Sequence, residues 1–228
     1  MLGMMGTVSY LPTYFQIVDG LAPEQAGLMT FPMMAGVLAM SVLTGFLATK
    51  TGRYKWMPIA STVVAAVGYV LLSQLTVGTT LLMTGVFLFV LGVGIGLGQQ
   101  ILVLIVQNEF SHDIVGTVTA ANSFFRQIGS TLGASLVGAL FTSRLSADLA
   151  AQLPRVDNIN INRITPEFVE HVSQPVRHAI ATAYSDALVP IFLYVVPLLA
   201  VGFVFMLTLK EHPLATKVDH AGHPGDEV

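Results

Sequence analysis

Thr119, Asn122, Arg126 and Ser130 stand at steps of three and four along the run "TAANSFFRQIGSTLGASLVGALF" (119–141). On a helix that spacing puts all four on one face. Phe124, Ile128 and Leu132 fall roughly opposite, so one segment carries a polar stripe and an apolar stripe. The run is long and apolar enough to cross a bilayer, and an arginine at mid-span is unfavourable by roughly 2.5–3.5 kcal/mol. Arg126 therefore turns away from lipid, toward protein or a water-filled cavity. Two roles fit it: bonding to backbone carbonyls or to Gln99 and Gln100, or facing a central cavity or seam where it pairs with an acidic residue.

Gln99 and Gln100 close the preceding apolar run, in "GVGIGLGQQ" (92–100). Its alternating glycines do not fit a dinucleotide loop, because Leu97 and Gln99 stand where the third glycine of G-x-G-x-x-G would have to be. Read as a helix, Gly92/Gly96 and Gly94/Gly98 are two overlapping small-xxx-small pairs that let neighbouring backbones approach closely. Gly129/Gly133 repeat the pattern. Catalytic constellations are missing: there is no H-E-x-x-H, no G-x-S-x-G and no Asp or Glu well inside an apolar run for acid–base work. Cysteine is absent, which removes thiolate chemistry and thiolate metal ligation. The histidines at 171, 178, 212, 220 and 223 form no convincing ligand set, so neither a metal nor a cofactor is expected. The chain reads as no enzyme.

These candidates need elements to hold them. The chain is 54% hydrophobic and only 10% charged, with a mean hydropathy of +0.73, whereas a soluble domain carries about 25% charged residues. Six apolar regions emerge, at about 2–18, 25–48, 57–75, 80–106, 114–142 and 184–209. Of the ten Lys and Arg and thirteen Asp and Glu, only Arg126 lies well inside one. The expectation is an all-α integral membrane protein of six transmembrane helices, spanning 1–209, with a polar tail at 210–228. No basic stripe suggests a nucleic-acid partner. The compact cluster Lys50, Arg53 and Lys55 places the 49–56 loop, and with it the tail, in the cytoplasm. The long polar loop 144–183 is then external, and it should carry short helices. "ITPEFVEHV" has Thr165, Pro166 and Glu167 as a helix start, and Pro175 offers a second start running into the last span. Asp113 is placed to cap the fifth helix. The first apolar run begins at residue 2, which suggests the C-terminal part of a longer chain.

Three stretches carry a resemblance. "YLPTYFQIVDGLAPEQAGLMTFP", "GFLATKTGRYK" and above all "QNEFSHDIVGTVTAANSFFRQIGSTLGASLVGALF" resemble the C-terminal half of the major facilitator superfamily, in particular its fourteen-helix drug:proton antiporter group. The resemblance implies a core of two six-helix halves rocking about a central site, with this chain supplying one half and a missing N-terminal half the other. It implies proton-coupled export of amphipathic small molecules across the plasma membrane. In the basic loop Gly45, Gly52 and Arg53 match the family's gating pattern, while Thr49 stands where that pattern has Asp. An uptake carrier of the same architecture, or an integral membrane protein without a transport role, are the alternatives.

Overall fold

The computed structural model describes residues 2–52, 55–110, 114–152 and 165–208, and among these every regular element is an α-helix. In chain order they are α1 (Leu2–Ile17), α2 (Pro23–Leu28), α3 (Phe31–Thr51), α4 (Trp56–Leu72), α5 (Leu81–Glu109), α6 (Val115–Gln152), α7 (Pro166–Glu170) and α8 (Gln174–Thr208). Six are long, and each overlaps one of the six apolar regions. Length and apolarity mark three stretches as able to cross a membrane: Pro23–Ala48, Leu81–Gln107 and Gln174–Thr208. Trp56–Leu72 is a shorter apolar helix, and α1 has 16 residues.

α5 lies between α3 and α4, and α1, α6 and α8 form a second group. The two groups meet where α4 packs on α8 and α5 on α6. The glycines explain how α5 serves two neighbours. A methyl group at Gly92 would collide with the backbone of Met33 on α3, and one at Gly94 with the backbone of Ala65 on α4. At Gly96 the nearest atom would be the Val37 carbonyl oxygen of α3, at 2.6 Å, and at Gly98 it would be the Ser61 hydroxyl of α4. The two small-residue pairs thus address two different helices. Where no hydrophobic force acts between spans, such close approach supplies the dispersion contacts that hold helices together. On α6, Gly133 is buried beside Gly6 of α1. Gly129 departs from the expected packing role, since a methyl group there would meet nothing within 4 Å.

One continuous buried cluster runs through both groups, including Leu11, Phe15, Met33, Tyr69, Leu91 and Phe192. A smaller one, Ala48, Met57 and Ile101, sits beside the 49–56 turn. Around them the surface is apolar: Val42 is 74% exposed, Leu82 81% and Phe125 70%. Patches of that size need a lipid or protein cover.

Two helices are longer than the apolar runs suggest. α6 has 38 residues, ~57 Å at 1.5 Å per residue, against a hydrocarbon core of about 30 Å. α8 has 35. Beyond Phe141 the apolar run ends but the helical period continues: Leu145 and Leu149 stay buried, in the same cluster as Ile180, Ala183 and Tyr184 of α8 and Val169 of α7. Phe141 meets Tyr184 edge-on, ring centroids 4.7 Å apart. Among the described residues of 144–183 most are therefore helical: α6 runs on past the expected end of its span, α7 follows, and α8 runs from beside Pro175 into the last span as the second start predicts. Hydropathy marked where the greasy stretch stops, not where the helix stops. α7 starts as Thr165-Pro166-Glu167 predicts, with the Thr165 hydroxyl accepting from the Phe168 N–H at 3.2 Å. α8 begins at Gln174, immediately before Pro175.

The turns are specified locally. Gly52 ends α3 in the left-handed region (φ 66°) and donates its N–H to the Ala48 carbonyl at 3.0 Å. At the α1–α2 turn Gly20 is also left-handed (φ 67°), and the Arg177 guanidinium of α8 lies against it. Asp19 beside it is half-buried, and burial pushes its carboxyl up to about 6. Arg53, Asp113 and the tail lie outside the described residues.

Candidate functional site

α6 carries its polar stripe inward. Thr119, Asn122 and Arg126 are half-buried and Ser130 is buried, and the same face continues as buried Gly133, Val137 and Phe141. The opposite stripe is exposed, Phe124 at 62% and Leu132 at 54%. The period read from the sequence thus gives the orientation of the helix as well as its existence.

At the level of Asn122 and Arg126 the helices part around a cavity of ≈ 470 Å³. Five helices contribute: Met4 from α1; Ser61, Thr62 and Tyr69 from α4; Ile95, Gly98, Gln99 and Leu102 from α5; Asn122, Phe125 and Arg126 from α6; Val195, Leu198 and Leu199 from α8. Among the described residues Arg126 is the one charged group on this wall. Thr62 and Leu199 also line a neighbouring apolar groove of ≈ 370 Å³ between α4 and α8, so the two spaces share a border.

The polar groups on this face are unevenly satisfied. The Asn122 side-chain nitrogen and the Thr119 hydroxyl are enclosed without a hydrogen-bond partner. Enclosed polar groups of this kind are rare, and each asks for an explanation such as a ligand or water. The Ser130 hydroxyl donates to the Arg126 carbonyl one turn back, at 3.0 Å, so it is spent within its own helix. The Thr7 hydroxyl on α1 donates to the Gly3 carbonyl at 2.9 Å and lies 3.4 Å from the Tyr69 hydroxyl at the cavity margin. Ser61 donates to the Gly94 carbonyl at 2.7 Å.

Gln99, Asn122 and Arg126 all line this cavity, the first from α5 and the other two from α6. Gln100 is exposed and stands off it, and Thr119 is outside the wall as well. Of the loop residues, Gly45 is half-buried on α3 and Gly52 caps that helix. No group of three or more His, Asp or Glu able to hold a metal occurs among the described residues. The tail histidines fall outside them. Sequence reasoning missed Ser61, Tyr69, Met4 and Phe125. The first two were discoverable, because Ser61, Ala65 and Tyr69 recur at steps of four and give α4 a small and polar-tipped face. Met4 and Phe125 carry no such signal in apolar runs.

Comparison with known proteins places this arrangement. The sequence model described as Major Facilitator Superfamily matches residues 1–134. An MFS-type transporter of Mycobacterium tuberculosis (strain H37Rv), whose name marks it as uncharacterized, is 38% identical over 224 residues, 98% of this chain and 32% of the relative. The multidrug transporter protein MdtP of Bacillus subtilis (strain 168) is 29% identical, over 95% of this chain and 45% of its own length. The tetracycline resistance determinant of Streptomyces rimosus is 36% identical over 163 residues, 69% of this chain and 46% of the relative. The chain spans from about a third to just under a half of the length of these relatives. The all-helical fold, the apolar surface and a match over more than half of the residues agree: the chain belongs to the major facilitator superfamily of membrane transporters.

Proposed function

We propose that the chain forms the C-terminal six-helix half of an exporter that moves amphipathic small molecules by alternating access, driven by protons. The single observation that carries this reading is the cavity: a mostly apolar space at the junction of five helices, with Gln99, Asn122 and Arg126 among its lining. Apolar pockets with a few converging polar groups are the usual form of a small-molecule site. The multidrug and tetracycline names of the relatives support drug-like cargo. On this reading all six long helices span the plasma membrane, α1, α4 and α6 included, and an N-terminal half of the same transporter closes the cavity from the other side. Such halves rock about a site near the bilayer midplane. The 49–56 loop and the tail are cytoplasmic, and the α6–α8 extension is external. Gly45, Gly52 and Arg53 belong to the cytoplasmic gate. The protein is a carrier and not an enzyme.

The test is transport by the complete protein. In proteoliposomes with an imposed pH gradient, it moves an amphipathic fluorescent dye, and a protonophore abolishes the movement. Arg126→Gln and Arg126→Lys reach the membrane at near-normal levels and transport less. Dye movement no greater than in empty vesicles would overturn the reading. Variants whose lost transport tracks lost protein would make Arg126 a packing residue instead.

A further inference from the structure

We propose that the cavity is an organic-anion site, in which Arg126 binds a carboxylate and the apolar wall holds the attached ring or chain. The proposal rests on reading the cavity as the transporter's substrate site. Arg126 is the one charged residue on the described wall, and an arginine's charge is permanent. Among the described residues no carboxylate stands on the wall, so on this side of the cavity a cationic amphipath would meet only like charge. One helical turn away, the Asn122 side-chain nitrogen is enclosed with no acceptor. Across from α6, Gln99 of α5 presents a further carboxamide. The unmet demands of Arg126 and Asn122 are thus for acceptors. A planar anion with two oxygens matches the guanidinium fork. A charge in apolar surroundings is costly unless paired, and an incoming anion removes that cost. The remainder of the wall, Ile95, Leu102, Phe125 and Leu198, is apolar, and the border at Thr62 and Leu199 opens on an apolar groove. The ligand is therefore an anion with a hydrophobic body.

A carboxylate could reach Arg126 from a ligand or from a side chain elsewhere in the complete transporter, and a matched series separates the two. The probes share one fluorescent ring: 1-naphthaleneacetate, 1-naphthaleneacetamide and 1-naphthylethylamine, the last a cation. Binding to the purified complete transporter is measured at pH ~7.5, where the carboxylate is ionised. The acetate should bind about tenfold tighter than the amide, the scale of one charge-assisted hydrogen-bonded pair, and the amine weakest. Arg126→Gln should erase the preference of acetate over amide, and Arg126→Lys should keep part of it. Should Arg126→Gln fail to fold, the Lys variant and a naphthalenesulfonate probe decide, the sulfonate binding the wild type at least as tightly as the acetate. Equal affinities in the wild type would mean that Arg126 already has a protein partner, and would overturn the proposal. A preference that survives Arg126→Gln, or no binding of any probe, would overturn it too. If the Arg126-dependent preference holds but no probe is driven across proteoliposomes by a pH gradient, the anion site stands and the exporter reading fails.

Discussion

Ser61 of α4 donates its hydroxyl to the Gly94 carbonyl of α5 at 2.7 Å, and Ser41 of α3 reaches the Gly96 carbonyl from the other side at 3.4 Å. α5 is therefore clasped by a serine on each flank, and each serine is seated on one of the two interleaved glycine pairs. Ser61 also faces the cavity, so the seam that holds α4 to α5 is part of the wall that shapes the site. The room between those backbones is set by the missing side chains at 92, 94, 96 and 98.

Gly94→Leu should accordingly be severe. The new side chain runs into the Ala65 backbone, which does not yield as a flexible side chain would. Overpacking of this kind costs about 1–3 kcal/mol or more. Gly129→Ala is the control: nothing lies within 4 Å of the added methyl group, and an alanine favours the helix by up to about 1 kcal/mol. Size-exclusion profiles of the detergent-solubilised protein after a heat step should show early aggregation of Gly94→Leu and an unchanged or raised midpoint for Gly129→Ala. Equal behaviour of the two variants would contradict the seam as described.

Much of this was legible in the residues, for physical reasons that also mark the limit. The polar stripe of α6 was readable because four polar side chains at a helical period in an apolar run have only one low-cost orientation. The pairing of Gly92/Gly96 with α3 and Gly94/Gly98 with α4 was half readable: spacing announces close approach but does not name the neighbour. The end of α6 was misjudged because hydropathy and helicity part company there, whereas the start of α8 beside Pro175 was readable. Leu145 and Leu149 keep the period alive among Arg144, Ser146 and Asp148. The cavity itself was not legible. Met4 and Arg126 are distant in sequence, and single apolar residues give no sign of which of them line a space. Gln100, grouped with Gln99 by adjacency, points elsewhere because neighbours on a helix differ by about 100°.

The proposed topology can be read chemically. The chain has no cysteine, so in a complete transporter freed of any cysteine elsewhere Thr51→Cys at the α3 end and Ser173→Cys before α8 each give a single thiol at an exposed position. A membrane-impermeant maleimide should label Ser173→Cys in intact cells, and Thr51→Cys only after permeabilisation. The opposite pattern would invert the orientation. Labelling of both in intact cells would remove the six-span reading.

Asp19 should impose a pH dependence on the α1–α2 turn. Burial raises its carboxyl from 3.8 to about 6, so between those values the folded state holds a proton that the unfolded state has released. Stability then falls as pH rises from ~4 to ~6 and levels off above. Asp19 is half-exposed, which keeps the effect small. Asp19→Asn should remove the slope and raise the unfolding midpoint at pH ~7.5 relative to the wild type. A midpoint for the wild type that climbs between pH ~4 and ~6, with Asp19→Asn following it, would assign the titration to another group.

Asn122→Asp tests the electrostatics of the cavity from inside the protein. Asn122 and Arg126 are four residues apart on α6, so their side chains are neighbours on one face, with Cβ atoms roughly 5–6 Å apart. The substitution changes one atom type and little volume, and it supplies Arg126 with a carboxylate of its own. An acid four residues before a base is the favourable order on a helix, worth about 0.2–0.5 kcal/mol in water. More is expected in a partly enclosed site, where screening is weaker. The unfolding midpoint should therefore hold or rise. At the same time the cavity loses its net positive charge, so 1-naphthaleneacetate should bind at least about tenfold more weakly, again the scale of a charge-assisted pair, while 1-naphthylethylamine gains. Asn122→Leu separates charge from hydrogen bonding: it removes the donor without adding a carboxylate, and should weaken the acetate only a few-fold with no gain for the amine. If Asn122→Asp binds the acetate as the wild type does, Arg126 does not reach the ligand, and the guanidinium would instead be a packing element between α6 and its neighbours.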